Sequence, residues 1–97
     1  MVKIATSATN EVETASKYFT LYPNPTNQKT TLRFDPTLVN VKAITLYDAQ
    51  GKSVLQQAND LQNGSIELDV NDFSSGLYLL KIDTKEKSFI DKLLITK

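Results

Sequence analysis

From Tyr18 onward the chain runs in short stretches of alternating apolar and polar residues, each closed by turn-forming residues. The most apolar stretch is Gly76-Leu77-Tyr78-Leu79-Leu80-Lys81-Ile82, entered through Ser74-Ser75 and left through Asp83-Thr84. Gly at its mouth, polar residues at its exit and apolar side chains on both faces predict a central β-strand. Tyr78, Leu80 and Ile82 share one face and Leu77 and Leu79 the other, because side chains alternate along a strand. Such a strand is expected to be covered on both sides, by a core and by at least one more layer.

Six further strands surround it in sequence. Tyr18 to Tyr22, with Phe19 and Leu21 inward, ends at Pro23-Asn24-Pro25-Thr26-Asn27, where Asn24-Pro25 suits the first two positions of a type I turn. Residues 29–35 place Leu32 and Phe34 inward and Thr31, Arg33 and Asp35 outward, and Pro36 stops them. Residues 41–48 and 52–57 flank Asp48-Ala49-Gln50-Gly51, which predicts a hairpin with Gly51 in a left-handed bulge. After a polar loop closed by the turn pair Asn63-Gly64, residues 65–70 alternate strictly, with Ile66, Leu68 and Val70 buried. Asn71 to Gly76 is a crossing turn in which Phe73 dips into the core, and Tyr78 stands where a tyrosine corner would bond back to the backbone just upstream. Lys85-Glu86-Lys87 is a hairpin tip, and Ser88 to Lys97 is the last strand, with Asp91 and Lys92 as charges that blunt an exposed edge. Residues 1–17 have no sustained period and read as a linker or frayed lead-in, with a short helix around Glu11 to Lys17 as the alternative.

Seven short strands and no strong helix predict an all-β domain, a seven-stranded antiparallel immunoglobulin-like β-sandwich over residues 18–97. A closed barrel is the alternative architecture.

Composition narrows the chemistry. Eleven basic residues balance 11 acidic ones, so the basic footprint of a nucleic-acid binder is missing. Without Cys or His the chain lacks thiolate ligands, disulfides, the usual general base and the commonest metal ligand. No apolar run approaches the ~18 residues of a membrane span. Nucleophilic catalysis would need Ser or Thr with a Lys or carboxylate base; Ser74-Ser75 lies near Lys81 only in sequence, and turn-forming serines are the simpler reading. The carboxylates (Asp35, Asp48, Glu67, Asp69, Asp72, Asp83, Asp91) fall at outward or turn positions and read as a solvated surface. A calcium site from Asn59-Asp60 and Asp69-Asn71-Asp72 is the weaker alternative, since EF-hand spacing is absent. Asn63-Gly64-Ser65 matches a glycosylation acceptor but is first a turn. The expectation is therefore a domain that is not an enzyme, with no catalytic residue, no metal, no cofactor and no small-molecule substrate.

Four stretches in fixed order remain distinctive: Leu21-Tyr22-Pro23-Asn24-Pro25-Thr26-Asn27; Val41 to Lys52 with Tyr47-Asp48 and Gly51-Lys52; Phe73 to Ile82; and Lys92-Leu93-Leu94-Ile95-Thr96-Lys97. Together they resemble the C-terminal sorting domain, type A, of proteins exported by the type IX secretion system of Bacteroidetes. The resemblance implies an upstream cargo domain in the same chain, recognition by an outer-membrane translocon, and removal by a sortase-like peptidase that would cut within residues 5–18. It implies passage through the periplasm to the cell surface or the medium. It further implies that sorting is read from Leu21, Tyr22, Pro23, Asn24, Pro25, Gly76, Tyr78, Lys81, Lys92, Leu93, Ile95 and Lys97. The apolar yet charge-gated last strand leads separately to the expectation that a receptor adds a strand to its edge and holds the Lys97 carboxylate. Gln28 departs from the family pattern, which has Gly there, and puts the geometry of that turn in question. The rival reading is a small adhesive or carbohydrate-binding sandwich attached to a secreted enzyme; it predicts a row of exposed aromatics or a metal site on one sheet face.

Overall fold

A period of two puts the apolar half of each stretch on one side of a pleated ribbon, and the chain forms eight such ribbons. The computed structural model describes residues 12–14, 18–58 and 61–97, the first three as backbone. The strands are β1 (Val12–Thr14), β2 (Phe19–Tyr22), β3 (Lys29–Phe34), β4 (Val41–Tyr47), β5 (Ser53–Gln57), β6 (Ser65–Asp69), β7 (Gly76–Thr84) and β8 (Ser88–Ile95). They form a five-stranded sheet ordered β1-β8-β7-β4-β5 and a three-stranded sheet ordered β2-β3-β6. Two open sheets, not a closed barrel, enclose the core. The seven predicted strands pair antiparallel throughout. An eighth, β1, falls in the stretch read as a lead-in and pairs parallel with β8; Val12–Thr14 is strand where the alternative reading had helix.

Inward residues of both sheets meet in one cluster, in which Leu32, Ile44, Leu46, Leu80, Ile82, Leu93 and Ile95 have no exposure at all. Burying each side chain of this kind stabilises by about 1.5–3 kcal/mol. Phe19 ties the sheets together, its ring 5.7 Å from Phe34 and 5.1 Å from Phe89. Tyr78 forms the expected corner: its hydroxyl donates to the Ser74 carbonyl at 2.8 Å and its ring stacks on Phe73 at 6.0 Å. The hairpin of β4 and β5 also closes as expected. Gly51 has φ +84°, its N–H donates to the Asp48 carbonyl at 3.0 Å, and the Asp48 carboxylate accepts from the N–H groups of Gln50 and Lys52.

Two expectations fail. β7 is central, between β4 and β8, but only its Tyr78–Leu80–Ile82 face is covered. Leu77 and Leu79 remain 48% and 38% exposed, because among the described residues no third layer packs on that side. The edge of β8 is not open either. β1 pairs with Ser88, Phe89 and Ile90, and the loop after β2 bonds to Lys92, Leu94 and Thr96. Adding a receptor strand there would require displacing one of these covers.

Asp91 lies between the two covered stretches. Burial pushes its carboxyl above the ordinary value, partly countered by the Lys92 N–H that donates to it. A group whose pKa is raised by folding adds stability below its unfolded value, and that stability is lost as pH rises through the raised one. The ionised form is thus a liability at neutral pH. Asp91→Asn should raise the thermal midpoint at pH 7, with the gain vanishing as pH falls below about 4. Midpoints measured across that range check it; a gain that does not change with pH would refute the assignment.

Candidate functional site

The segment between β2 and β3 cannot continue as strand, because Pro23 and Pro25 lack N–H donors. The Tyr22–Pro23 and Asn24–Pro25 peptides are both cis. Asn24 does not serve a local turn, as its sequence position suggests. Its amide instead lies flat against the backbone of β8: Nδ2 donates to the Lys92 carbonyl at 2.7 Å, and Oδ1 accepts from the Leu94 N–H at 3.0 Å. Thr26 extends the same contact, its N–H donating to the Leu94 carbonyl at 3.0 Å and its carbonyl accepting from the Thr96 N–H at 2.9 Å. One side chain and one residue of backbone thus stand in for an edge strand. Buried threonines fix the loop from behind, Thr30 Oγ1 donating to the Pro23 carbonyl at 2.7 Å and Thr26 Oγ1 to the Lys29 carbonyl at 2.5 Å.

Lys97 closes this end of the sandwich. Its ammonium donates to the carbonyls of Asn27 at 2.8 Å, Asn71 at 2.8 Å and Val70 at 3.3 Å. Its backbone N–H donates to Ser75 Oγ at 2.9 Å. The Gln28 carbonyl accepts from the Val70 N–H at 2.8 Å, so the position where the resemblance expects Gly acts through its backbone. Pro23, Pro25, Asn27, Lys29 and Thr96 border a shallow hollow beside these contacts.

The structure therefore brings Pro23, Asn24, Pro25, Lys92, Lys97 and Gly76 to one end; Gly76 pairs with Ile95 across β7 and β8. It does not bring the others to that surface. Leu21, Tyr78, Leu93 and Ile95 are buried in the core, so their side chains pack and meet no partner. Lys81 lies farther along β7, 3.8 Å from Asp83. Tyr22 is 73% exposed on the outer face of the small sheet, bordered by Thr20, Thr31, Arg33 and Ser65. No second exposed ring stands beside it among the described residues, so the aromatic row required by the adhesive reading is not formed there.

The turn residues have structural partners. Ser75 Oγ holds the Lys97 N–H and the Ser74 carbonyl holds Tyr78. The Asp69 carboxylate accepts from the Asn71 N–H; Asn59 and Asp60 lie outside the described residues. Asp35 accepts two bonds from Thr37, which hold its carboxyl below the usual carboxylate value. Gly64, next to Asn63, has φ +79°.

The contacts of Asn24, Thr26 and Thr30 were not visible in the sequence. Asn24 reaches partners 68 and 70 residues away, and no local pattern marks such a pair. Bonds to charged donors contribute roughly 1.5–3 kcal/mol when sheltered, and less where water competes. Lys97→Met should therefore destabilise the domain by about 1–2 kcal/mol, with Lys97→Arg recovering part of the loss. Urea midpoints test this; an unchanged midpoint for Lys97→Met would place the ammonium in solvent.

Among curated proteins, none matches the chain. Among solved structures, the sulfur carrier protein SoxY from Chlorobium limicola f thiosulfatophilum superposes with a TM-score of 0.55 at 7% identity, over 92% of this chain and 87% of that one. Likeness at that identity shows a shared fold and nothing more. The sequence profile of a family described as "Secretion system C-terminal sorting domain" matches residues 20–96. That match takes in nearly all of β2 and every strand from β3 to β8, including the loop, the crossing turn and the last strand that meet at the Lys97 end, and the chain therefore belongs to the C-terminal sorting domain family of type IX secretion.

Proposed function

We propose that this domain is a non-catalytic address label that directs an upstream cargo across the outer membrane through the type IX system. The carrying observation is the family match over residues 20–96, and the gathering of Pro23-Asn24-Pro25, Gly76, Lys92 and Lys97 at one end of the sandwich supports it. The translocon reads that end as a shaped surface. It does not read it as an open strand edge, because the β8 edge is already covered. Transit runs through the periplasm to the cell surface or the medium. A sortase-like peptidase then cuts within residues 5–18 and releases the cargo or passes it to surface lipopolysaccharide.

A fluorescent reporter joined ahead of residues 1–97, with its own inner-membrane signal, tests the reading in a bacterium that has the type IX system. The reporter should reach the surface or medium, and should stay in the periplasm when the translocon is deleted. Export that continues unchanged in the translocon deletion would end the proposal.

A further inference from the structure

Solvated sheet faces carry polar side chains outward, as β6 does with Ser65, Glu67 and Asp69. The outer face of the five-stranded sheet breaks this rule. Of the five large apolar side chains exposed among the described residues, three, Leu77, Leu79 and Leu94, lie on this one face; Tyr22 and Leu38 are the others. Register makes the three contiguous. Leu77 stands directly opposite Leu94, and Leu79 stands between Tyr47 of β4 and Lys92 of β8. One row farther along β7, Lys81 faces Ile90. Contiguous exposed apolar surface with a polar border marks an interaction site.

Charge indicates what covers it. The described acid on this face, Asp83, is already engaged, accepting from Ser88 Oγ at 2.6 Å and lying 3.8 Å from the Lys81 ammonium. Lys92, exposed on the same face, forms no ion pair among the described residues. Among the described residues the patch is thus apolar at its centre and bordered by a cation that has no ion pair. A second copy docked through the same face would bring the same leucines, and its described acid there, Asp83, is the one already engaged by Ser88 and Lys81. We infer that this face docks a different protein, one whose apolar surface carries a carboxylate opposite Lys92. The inference rests on the sorting reading only in assigning that partner to the export machinery.

Photo-crosslinking in the reporter-expressing cells tests it, with p-benzoylphenylalanine placed at Leu79 and, as a control on the other sheet, at Glu67. Position 79 should give one dominant adduct, to a protein other than the reporter fusion, through a segment containing Asp or Glu. Lys92→Glu should cut that adduct about tenfold, and Leu79→Thr, which keeps strand propensity, should reduce export of the reporter. Both substitutions are at exposed positions and should shift stability by no more than about 0.5 kcal/mol, which thermal melts of the purified domain verify. Adducts to a second copy or to lipid, equal adducts from positions 67 and 79, or an adduct indifferent to Lys92→Glu would each overturn the inference. Failure of the unsubstituted fusion to be exported would instead count against the sorting reading, and the adduct pattern would still decide the patch.

Discussion

Deleting residues 92–97 should leave the domain unfolded, not folded and unread. Leu93 and Ile95 have no exposure, and losing a buried Leu or Ile side chain down to Ala already costs about 2–5 kcal/mol. The deletion also removes the partners of Gly76, Leu77, Tyr78 and Leu79 in the β7–β8 ladder. It strips Asn24 and Thr26 of the backbone they bond to and takes away the Lys97 ammonium. A domain of about 80 residues has a net stability of roughly 4–12 kcal/mol, which these losses together exceed. The truncated chain should show neither a cooperative thermal transition nor dispersed amide resonances at 25 °C; a cooperative melt would contradict the packing described here. The consequence for function is direct. A truncated cargo stalled in the periplasm reports a lost fold, so the deletion cannot tell what the translocon reads. Substitutions at exposed positions of a folded domain can.

The parts of this fold that were legible in the sequence are those fixed by neighbours. Strict alternation in Ile66-Glu67-Leu68-Asp69-Val70 orients β6 whatever it packs on, and the Asp48-to-Gly51 turn closes through bonds spanning three and four residues. The Tyr78 corner is equally local, four residues from donor to acceptor. What was not legible depends on segments far apart in the chain. Alternation separates Leu77 and Leu79 from Tyr78 and Leu80, yet it does not say whether a second layer exists, and here the outward pair stays exposed. β1 spans three residues and takes its meaning from Ser88 to Ile90. The ammonium of Lys97 meets the carbonyls of Asn27 and Asn71, 70 and 26 residues away, only once the chain is folded. The candidate site was therefore legible as motifs, and its physical role, one loop welded to the last strand, was not.

Gly64→Ala and Gly51→Ala should differ in cost although both glycines have left-handed backbones, with φ of +79° and +84°. A non-glycine residue in that region costs about 1–2 kcal/mol. At Gly51 the added Cβ meets nothing within 4 Å, so the conformational cost is the whole effect. At Gly64 the Cβ would lie 2.5 Å from the Phe34 carbonyl oxygen and 3.0 Å from Pro36 Cδ. Neither neighbour is a free side-chain end. The Phe34 N–H donates to the Gly64 carbonyl at 2.9 Å, so the loop cannot retreat without losing that bond and disturbing the β3–β6 register beside it, where Arg33 pairs with Ser65. Gly64→Ala should therefore cost about 3 kcal/mol or more, adding displacement of packed backbone to the left-handed penalty. In a domain of this size each kcal/mol moves the midpoint by roughly 4–8 °C, so melts of the two variants separate them readily. Equal losses would mean that Gly64 does not lie against Phe34 and Pro36 in solution. A larger loss at Gly64 alone would show that the end of β3 and the start of β6 are held together by a contact only glycine permits.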